Sequence, residues 1–177
     1  MKERMVGASA EQDRVQAAKR RLHFSHGACP LDVTEAAWQT ALAAAVLDAS
    51  VGIRHARISG DTAYGIHVAA IPHQVGCHVH RNPNRDQVND GNEVYVVVSG
   101  HGVLHFGKAG QDAGVVRVAD GAWERLPVQT GDSFIIPVGF AHQLRRHGPD
   151  ALTVLFACPD AHLNDAQDRT MLPDAPD

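Results

Sequence analysis

The sequence lacks the features that would point to a nucleic-acid or membrane partner. Its 16 lysines and arginines are outnumbered by 20 aspartates and glutamates, giving a net charge of −4, whereas phosphate binding needs a basic surface. Aromatic residues make up only 5%, too few for a base-stacking platform. The longest apolar stretch, Ala41 to Leu47, is far shorter than the roughly 20 residues that cross a bilayer. We therefore expect neither nucleic acid nor membrane as a partner.

Cysteine is also scarce. The three cysteines, Cys29, Cys77 and Cys158, are an odd number and include no Cys-x-x-Cys pair, so neither a disulfide framework nor a thiolate zinc site is indicated. The polar start, Met1 to Arg4, lacks the apolar segment of a secretion signal. Both observations favour a reducing compartment, and we expect a cytoplasmic protein.

What the sequence has in excess is histidine, with 12 residues among 177. A chain of this length suits one domain with a real core, and its 44% hydrophobic and 20% charged residues are normal for a globular protein. Histidine is the commonest metal ligand and the usual acid or base near neutral pH. The positions of the histidines therefore carry most of the functional information.

Residues 1–50 are predicted to form a helical N-terminal extension. One helix is expected over Glu11–Leu22, and a second from a cap at Asp32 or Thr34 to about Asp48. Apolar residues recur at helical spacing in the second helix, and we expect this stripe to pack against the main domain.

Residues 51–160 change to short β-rich runs separated by glycine-containing turns. The predicted strands are Val51–Ser59, Tyr64–Ile71, Cys77–Arg81, Val94–Ser99, Val103–Phe106, Val115–Val118, Trp123–Val128, Ser133–Ile136, Ala141–Arg146 and Ala151–Ala157. Closely spaced short strands of this kind predict an all-β sandwich or barrel. The polar segment 161–177 is predicted to be a frayed C-terminal tail.

Three strands of this pattern carry metal-binding residue types at informative spacings. His78 and His80 are two residues apart on a predicted strand, so both imidazoles face one side and can converge on one ion. Cys77 then faces the other side, where we expect it to pack. Glu93 opens the next strand, and His142 follows a Pro-x-Gly turn at the start of another.

These residues resemble the two sequence motifs of the cupin superfamily. The first motif matches at His78, His80 and Glu93, with six residues between Glu93 and Gly100; the second matches at Gly131, Pro137, Gly139 and His142. The resemblance covers roughly residues 51–158. It implies a double-stranded β-helix (jelly-roll) barrel in which His78, His80, Glu93 and His142 bind one metal ion.

The chain departs from the cupin pattern between the two halves of the first motif. Twelve residues, Arg81–Asn92, separate His80 from Glu93, more than is usual in that family. Their Asn, Asp, Gly and Pro residues favour turns, and we expect a mobile lid at the barrel mouth. Asp86 and Asp90 are alternatives to Glu93 as the carboxylate ligand, and Glu93 is favoured by its intact strand context.

The donor set limits the metal. Three imidazoles and one carboxylate suit a divalent transition metal such as Fe(II), Mn(II), Ni(II), Co(II) or Zn(II). Four protein ligands on a six-coordinate ion leave two positions open, which implies that substrate, water or dioxygen binds at the metal.

Candidates for proton transfer are less specific. Alternation from Glu93 turns Tyr95 inward, so its hydroxyl is a candidate catalytic group, although ordinary barrel filling explains it as well. His67 is a weaker acid or base candidate, and its position favours a core or rim histidine. His101 and His105 lie outside both motifs. The remaining histidines predicted to lie at the surface are His23, His26, His55, His147 and His162.

Three functions remain open from the sequence. The run from Glu93 to Gly102 resembles small cupins grouped with sugar-phosphate isomerases, which implies a metal-dependent isomerase or epimerase acting on a small polar or anionic metabolite. A non-haem Fe(II) dioxygenase uses the same ligand types. A non-catalytic small-molecule-binding barrel is the third alternative, and a homodimer is the expected assembly.

Overall fold

Strands dominate the part of the chain that the computed structural model describes, namely residues 2–60, 64–80, 91–164 and 168–177. The helices are α1 (Lys2–Arg21), α2 (Glu35–Ala43) and α3 (Ala161–Asn164). The strands are β1 (Ser25–His26), β2 (Val46–Asp48), β3 (Ile53–Gly60), β4 (Tyr64–Ile71), β5 (His78–His80), β6 (Glu93–Ser99), β7 (His101–Asp112), β8 (Val115–Val118), β9 (Glu124–Gln129), β10 (Asp132–Ile136), β11 (Phe140–Arg146), β12 (Leu152–Pro159) and β13 (Arg169–Met171).

The strands form two antiparallel sheets. One has seven strands in the order β1-β10-β6-β12-β4-β3-β2, and the other has the order β13-β5-β11-β7-β8 with β9 paired to β7. Buried residues of both sheets, including Phe134 and Phe156 from the first and Leu104 and Leu144 from the second, form one continuous core. Two antiparallel sheets around one shared core make a β-barrel of the jelly-roll type, as the motif resemblance predicts.

The N-terminal segment covers the barrel. Leu22, which directly follows α1, is fully buried in the barrel core together with Ala18. Helix α2 begins after Thr34, whose hydroxyl accepts a hydrogen bond from the backbone N–H of Ala37, as expected of an N-cap. Trp38 and its apolar neighbours pack on the outer face of the seven-stranded sheet, so the predicted packing of this stripe is confirmed.

The second helix is shorter than predicted. It ends at Ala43, and Val46–Asp48 instead forms the edge strand β2, paired with β3. The prediction that the helix continues to Asp48 was wrong. Val46 pairs with His55 in the sheet, and this pairing gives the backbone an alternative to the helix. The local alanine-rich pattern contains no sign of such a long-range contact.

The C-terminal segment is part of the fold rather than a frayed tail. Strand β13 pairs with β5, with Arg169 opposite His80 and Met171 opposite His78. Ala175, close to the end of the chain, is buried. The polar composition led to the wrong expectation, because sheet pairing satisfies backbone groups whatever the side chains are. The domain boundaries at 1–50, 51–160 and 161–177 remain predictions.

Two further predictions concern the barrel surface. The expected lid Arg81–Asn92, with Asp86 and Asp90, lies almost entirely outside the described residues, of which only Gly91 and Asn92 belong to it. The strand predicted over Val103–Phe106 extends over His101–Asp112 as β7.

Within the described ranges, no helix combines the length and the apolar character needed to span a membrane.

Candidate metal centre

Four buried side chains meet at one end of the barrel interior. His78 and His80 project from β5, Glu93 is the first residue of β6, and His142 lies on β11 directly opposite His78. One donor atom from each of the four lies within 4.8 Å of those from the others. The positive φ of Gly139, +79°, makes the Pro-x-Gly turn that leads into β11, a conformation that glycine adopts without strain.

The outer ring nitrogen of each histidine has a hydrogen-bond acceptor. Nδ1 of His78 lies 2.7 Å from the carbonyl oxygen of Gly76. Nδ1 of His80 lies 3.1 Å from Oδ2 of Asp168, and Nδ1 of His142 lies 3.4 Å from the carbonyl oxygen of Phe140. In each pair the Nδ1–H donates, which leaves Nε2 with a free lone pair for a metal.

Charge in the site matches what a metal requires of its ligands. Burial raises the pKa of Glu93, but the adjacent His80 and His142 outweigh it and hold that pKa well below its usual range. Oε2 of Glu93 lies 3.0 Å from Nε2 of His142, and Oε1 lies 3.6 Å from Nε2 of His80. Burial, together with the neighbouring rings of His142 and His80, lowers the pKa of His78 well below its ordinary value. An ionised carboxylate beside a neutral imidazole is the ligand state that binds metal.

The donor set therefore fits one divalent transition-metal ion. Three imidazole nitrogens and one carboxylate group are borderline-to-hard donors, all four side chains are buried, and the outer nitrogens are already satisfied. The sequence prediction of a single-ion cofactor site is confirmed by this cluster.

A small cavity opens against the cluster. Its volume is about 30 Å³, enough for one or two water-sized molecules. The walls contributed by His78, His80, Glu93 and Tyr95 are polar. The other lining residues are mostly apolar: Val51, Ile53, Ala69, Ile71, Val75, Val154, Phe156, Leu163 and the side chain of Arg169.

Tyr95 lies at the cluster, facing inward as alternation along β6 predicts. Its hydroxyl is 3.4 Å from Oε2 of Glu93 and 3.5 Å from Nε2 of His142. Burial and the charge of Glu93 raise the pKa of Tyr95 well above 10. The side chain is therefore a neutral phenol that donates a proton to a hydrogen bond.

His67 lies away from the cluster. It is 5% exposed, stacks on Phe156 with 5.1 Å between ring centroids, and is not among the described residues that line the cavity. Neither ring nitrogen has a hydrogen-bond partner among the described residues. Burial, with the nearby His55 and Arg57, lowers the pKa of His67 to about 4. The structure thus gives this ring the surroundings of a core histidine.

Two residues beside the cluster were not predicted. His162 was expected at the surface, but it is 3% exposed and stacks on His80 with 3.9 Å between centroids and 9° between planes. Asp168 is 2% exposed and lies 3.5 Å from Nε2 of His162. The expectation failed because both residues lie beyond the last predicted strand, in a segment without hydrophobic periodicity. His55, also expected at the surface, is half-buried between Asp48 and His67.

Neither of the two buried cysteines takes part as a thiolate. Cys77 faces away from the cluster, as predicted, and is fully buried. The Sγ of Cys158 lies within 4.8 Å of donor atoms of Glu93 and His162. Burial and the charge of Glu93 raise the pKa of Cys158 far above its usual range, so this group is a thiol.

Fold and site together define a β-barrel of two antiparallel sheets with a buried candidate metal site. No protein-family model and no curated protein matches the sequence. Among solved structures, Bacillus subtilis oxalate decarboxylase at pH 4.6 is similar with a TM-score of 0.47 and 15% identity, covering 72% of this chain and 29% of that chain. The formate complex of Lactobacillus farciminis oxalate decarboxylase gives a TM-score of 0.44 at 16% identity, with 72% and 32% covered. This chain spans about a third of the length of those proteins.

Proposed function

We propose that this cupin is a mononuclear metal enzyme of the non-haem Fe(II) dioxygenase type, acting on a small polar or anionic metabolite. The observation that carries the proposal is the small cavity of about 30 Å³ beside His78, His80 and Glu93, whose remaining walls are mainly apolar. When bound, a ferrous ion supplies two open coordination positions and an electron donor for dioxygen.

The cavity walls support a small co-substrate more than a large polar one. Apolar side chains such as Ile71, Val154 and Phe156 exclude water, and they offer no hydrogen bonds to the hydroxyl groups of a sugar. Arg169 is the only cation among the described lining residues. Its guanidinium already donates to Oγ of Ser50 at 2.6 Å and lies 3.6 Å from Oδ2 of Asp48. A phosphate would have to compete with these partners.

The chain's own residues would orient the substrate. His78, His80, Glu93 and His142 would hold the ion, and the Tyr95 phenol, 3.4 Å from Glu93, is placed to donate a hydrogen bond to a substrate oxygen beside it. Tyr95 is thus our candidate for a catalytic residue. His67, behind Phe156, has no comparable access and would serve packing rather than proton transfer.

An isomerase or epimerase is the second candidate, and a different observation favours it. Such a reaction needs a group that carries a proton between adjacent carbons. Nδ1 of His162 lies 3.8 Å from Oε1 of Glu93 and has no hydrogen-bond partner among the described residues, so an imidazole that could exchange a proton lies beside the candidate ligands. A non-catalytic binding barrel would have the same ligands without turnover.

The distinguishing experiment combines metal analysis with oxygen uptake. Protein loaded anaerobically with Fe(II) is mixed with a panel of small carboxylic, hydroxy and keto acids, including oxalate and formate, and with sugar phosphates. Oxygen consumption that requires one panel compound, and is absent from His142→Ala, is the expected result. Conversion of a panel compound without oxygen uptake, supported equally by Zn(II) or Mn(II), would replace the dioxygenase by the isomerase. Tight binding without any conversion would leave the binding barrel.

A further inference from the structure

A second carboxylate lies behind the metal cluster. Asp168 is 2% exposed, and its Oδ2 lies 3.1 Å from Nδ1 of His80 and 3.5 Å from Nε2 of His162. The residue comes directly before β13, whose Arg169 pairs with His80 across the sheet. The C-terminal segment therefore places the Asp168 carboxylate against the outer ring nitrogen of His80, one of the candidate ligands.

Stacking excludes His162 as a further ligand of the same ion. The rings of His80 and His162 are nearly parallel, 9° apart, with centroids separated by 3.9 Å. An imidazole binds a metal along a lone pair that lies in the ring plane. An ion bound by His80 would therefore lie well away from the plane of the stacked His162 ring. Asp168 thus contacts one ring that can bind the ion and one that cannot.

Charge gives Asp168 a second effect on the centre. A divalent ion with Glu93 as its one anionic ligand leaves a net charge of +1 in a buried site, and unpaired charge is costly in a low-dielectric interior. Asp168 brings the total to zero through a hydrogen bond rather than through a metal bond. A carboxylate that accepts from the outer nitrogen of a ligand histidine also fixes its tautomer and raises its basicity.

Resting on the proposed metal centre, we propose that Asp168 is its positioning residue. It holds His80 as the Nδ1–H tautomer, which turns the Nε2 lone pair toward the ion, and it supplies the second negative charge. Its Oδ2 also lies 3.5 Å from Nε2 of His162, so one carboxylate faces both stacked rings. The C-terminal segment is then part of the metal centre, not only of the barrel wall.

The test compares Asp168→Asn with Asp174→Asn. Asp174 is a matched control because it lies on the same C-terminal segment, where it accepts hydrogen bonds from Gln74 and Gln143 without touching the cluster. Each full-length protein is loaded with Co(II), and its affinity is measured by competition with a chromophoric chelator. We expect Asp168→Asn to lose about 10–100-fold in affinity and to shift the visible Co(II) absorption bands, and Asp174→Asn to change neither.

Further variants keep the result decisive. Asp168→Ser replaces the carboxylate by a smaller group, so it tests the same point if the asparagine variant fails to fold, and far-UV circular dichroism of the metal-free proteins reports folding. The role of Asp168 alone would be overturned if a folded Asp168 variant kept its Co(II) affinity within threefold of wild type and its absorption bands unshifted, while His142→Ala lost the metal. Full metal retention in His142→Ala would instead show that the proposed centre itself is misplaced.

Discussion

The buried ring of His67 makes the stability of this protein depend on pH in a way that one substitution removes. The perturbation is His67→Leu, which keeps a side chain of similar volume against Phe156 and deletes both ring nitrogens. In the folded protein those nitrogens have no partner among the described residues, so protonating the ring would bury an unpaired charge. Burial, with His55 and Arg57 nearby, accordingly lowers the pKa of His67 to about 4.

The sign and size of the effect follow from that pKa. Above pH 6.5 the ring is neutral in both the folded and the unfolded chain, and it contributes nothing to the pH dependence. Between pH 6.5 and 4 the His67 ring binds a proton in the unfolded chain but stays neutral in the folded chain, so the free energy of unfolding falls as the pH falls. The shift of about 2.5 units corresponds to a loss of about 3 kcal/mol below pH 4, and to about 2 kcal/mol at pH 5.

The assay is urea unfolding of wild type and His67→Leu at several pH values between 7.5 and 4.5. The free energy of unfolding of wild type should fall by about 2 kcal/mol more than that of the variant between pH 7.5 and pH 5. Titration of the metal ligands affects both proteins alike and cancels in the difference. His73→Leu, which deletes an exposed histidine, is the control and should follow wild type. Parallel curves for wild type and His67→Leu would refute the reasoning.

Other consequences concern the centre and the assembly. His142→Ala should release most of the metal because it removes a direct ligand, whereas His101→Ala, outside both motifs, should keep it; equal occupancy by metal analysis would contradict the ligand assignment. His162→Gln should keep the full metal stoichiometry, since a ring stacked flat on His80 would not point a nitrogen at an ion that His80 binds; a loss as large as in His142→Ala would make it a ligand. Tyr95→Phe should retain metal but lower kcat by about 10²-fold, measured at saturating substrate; unchanged turnover would reduce Tyr95 to packing. Light scattering should give twice the chain mass if the expected homodimer forms, and the mass of one chain at high concentration would exclude it.

Sequence reasoning predicted the barrel and the four residues that meet inside it, because both depend on local regularities. His78 and His80 face one way through the two-residue period of a strand, and His142 follows a turn whose glycine adopts a positive φ. Glu93 begins its strand with a spacing to Gly100 that is readable without coordinates. Each of these signals lies within a few residues along the chain, and sequence reasoning detects such signals well.

The surroundings of those candidate ligands became visible only in the folded structure. Asp168 contacts His80, from which it is separated by 88 positions in sequence, and His162 lies on a four-residue helix. The sequence around these two residues does not predict that they are buried. Strand β2 likewise exists because β3 offers it hydrogen bonds, against the helical pattern of its own residues. Such groups are placed by pairing between distant segments, and the energy of that pairing appears only once the barrel has closed.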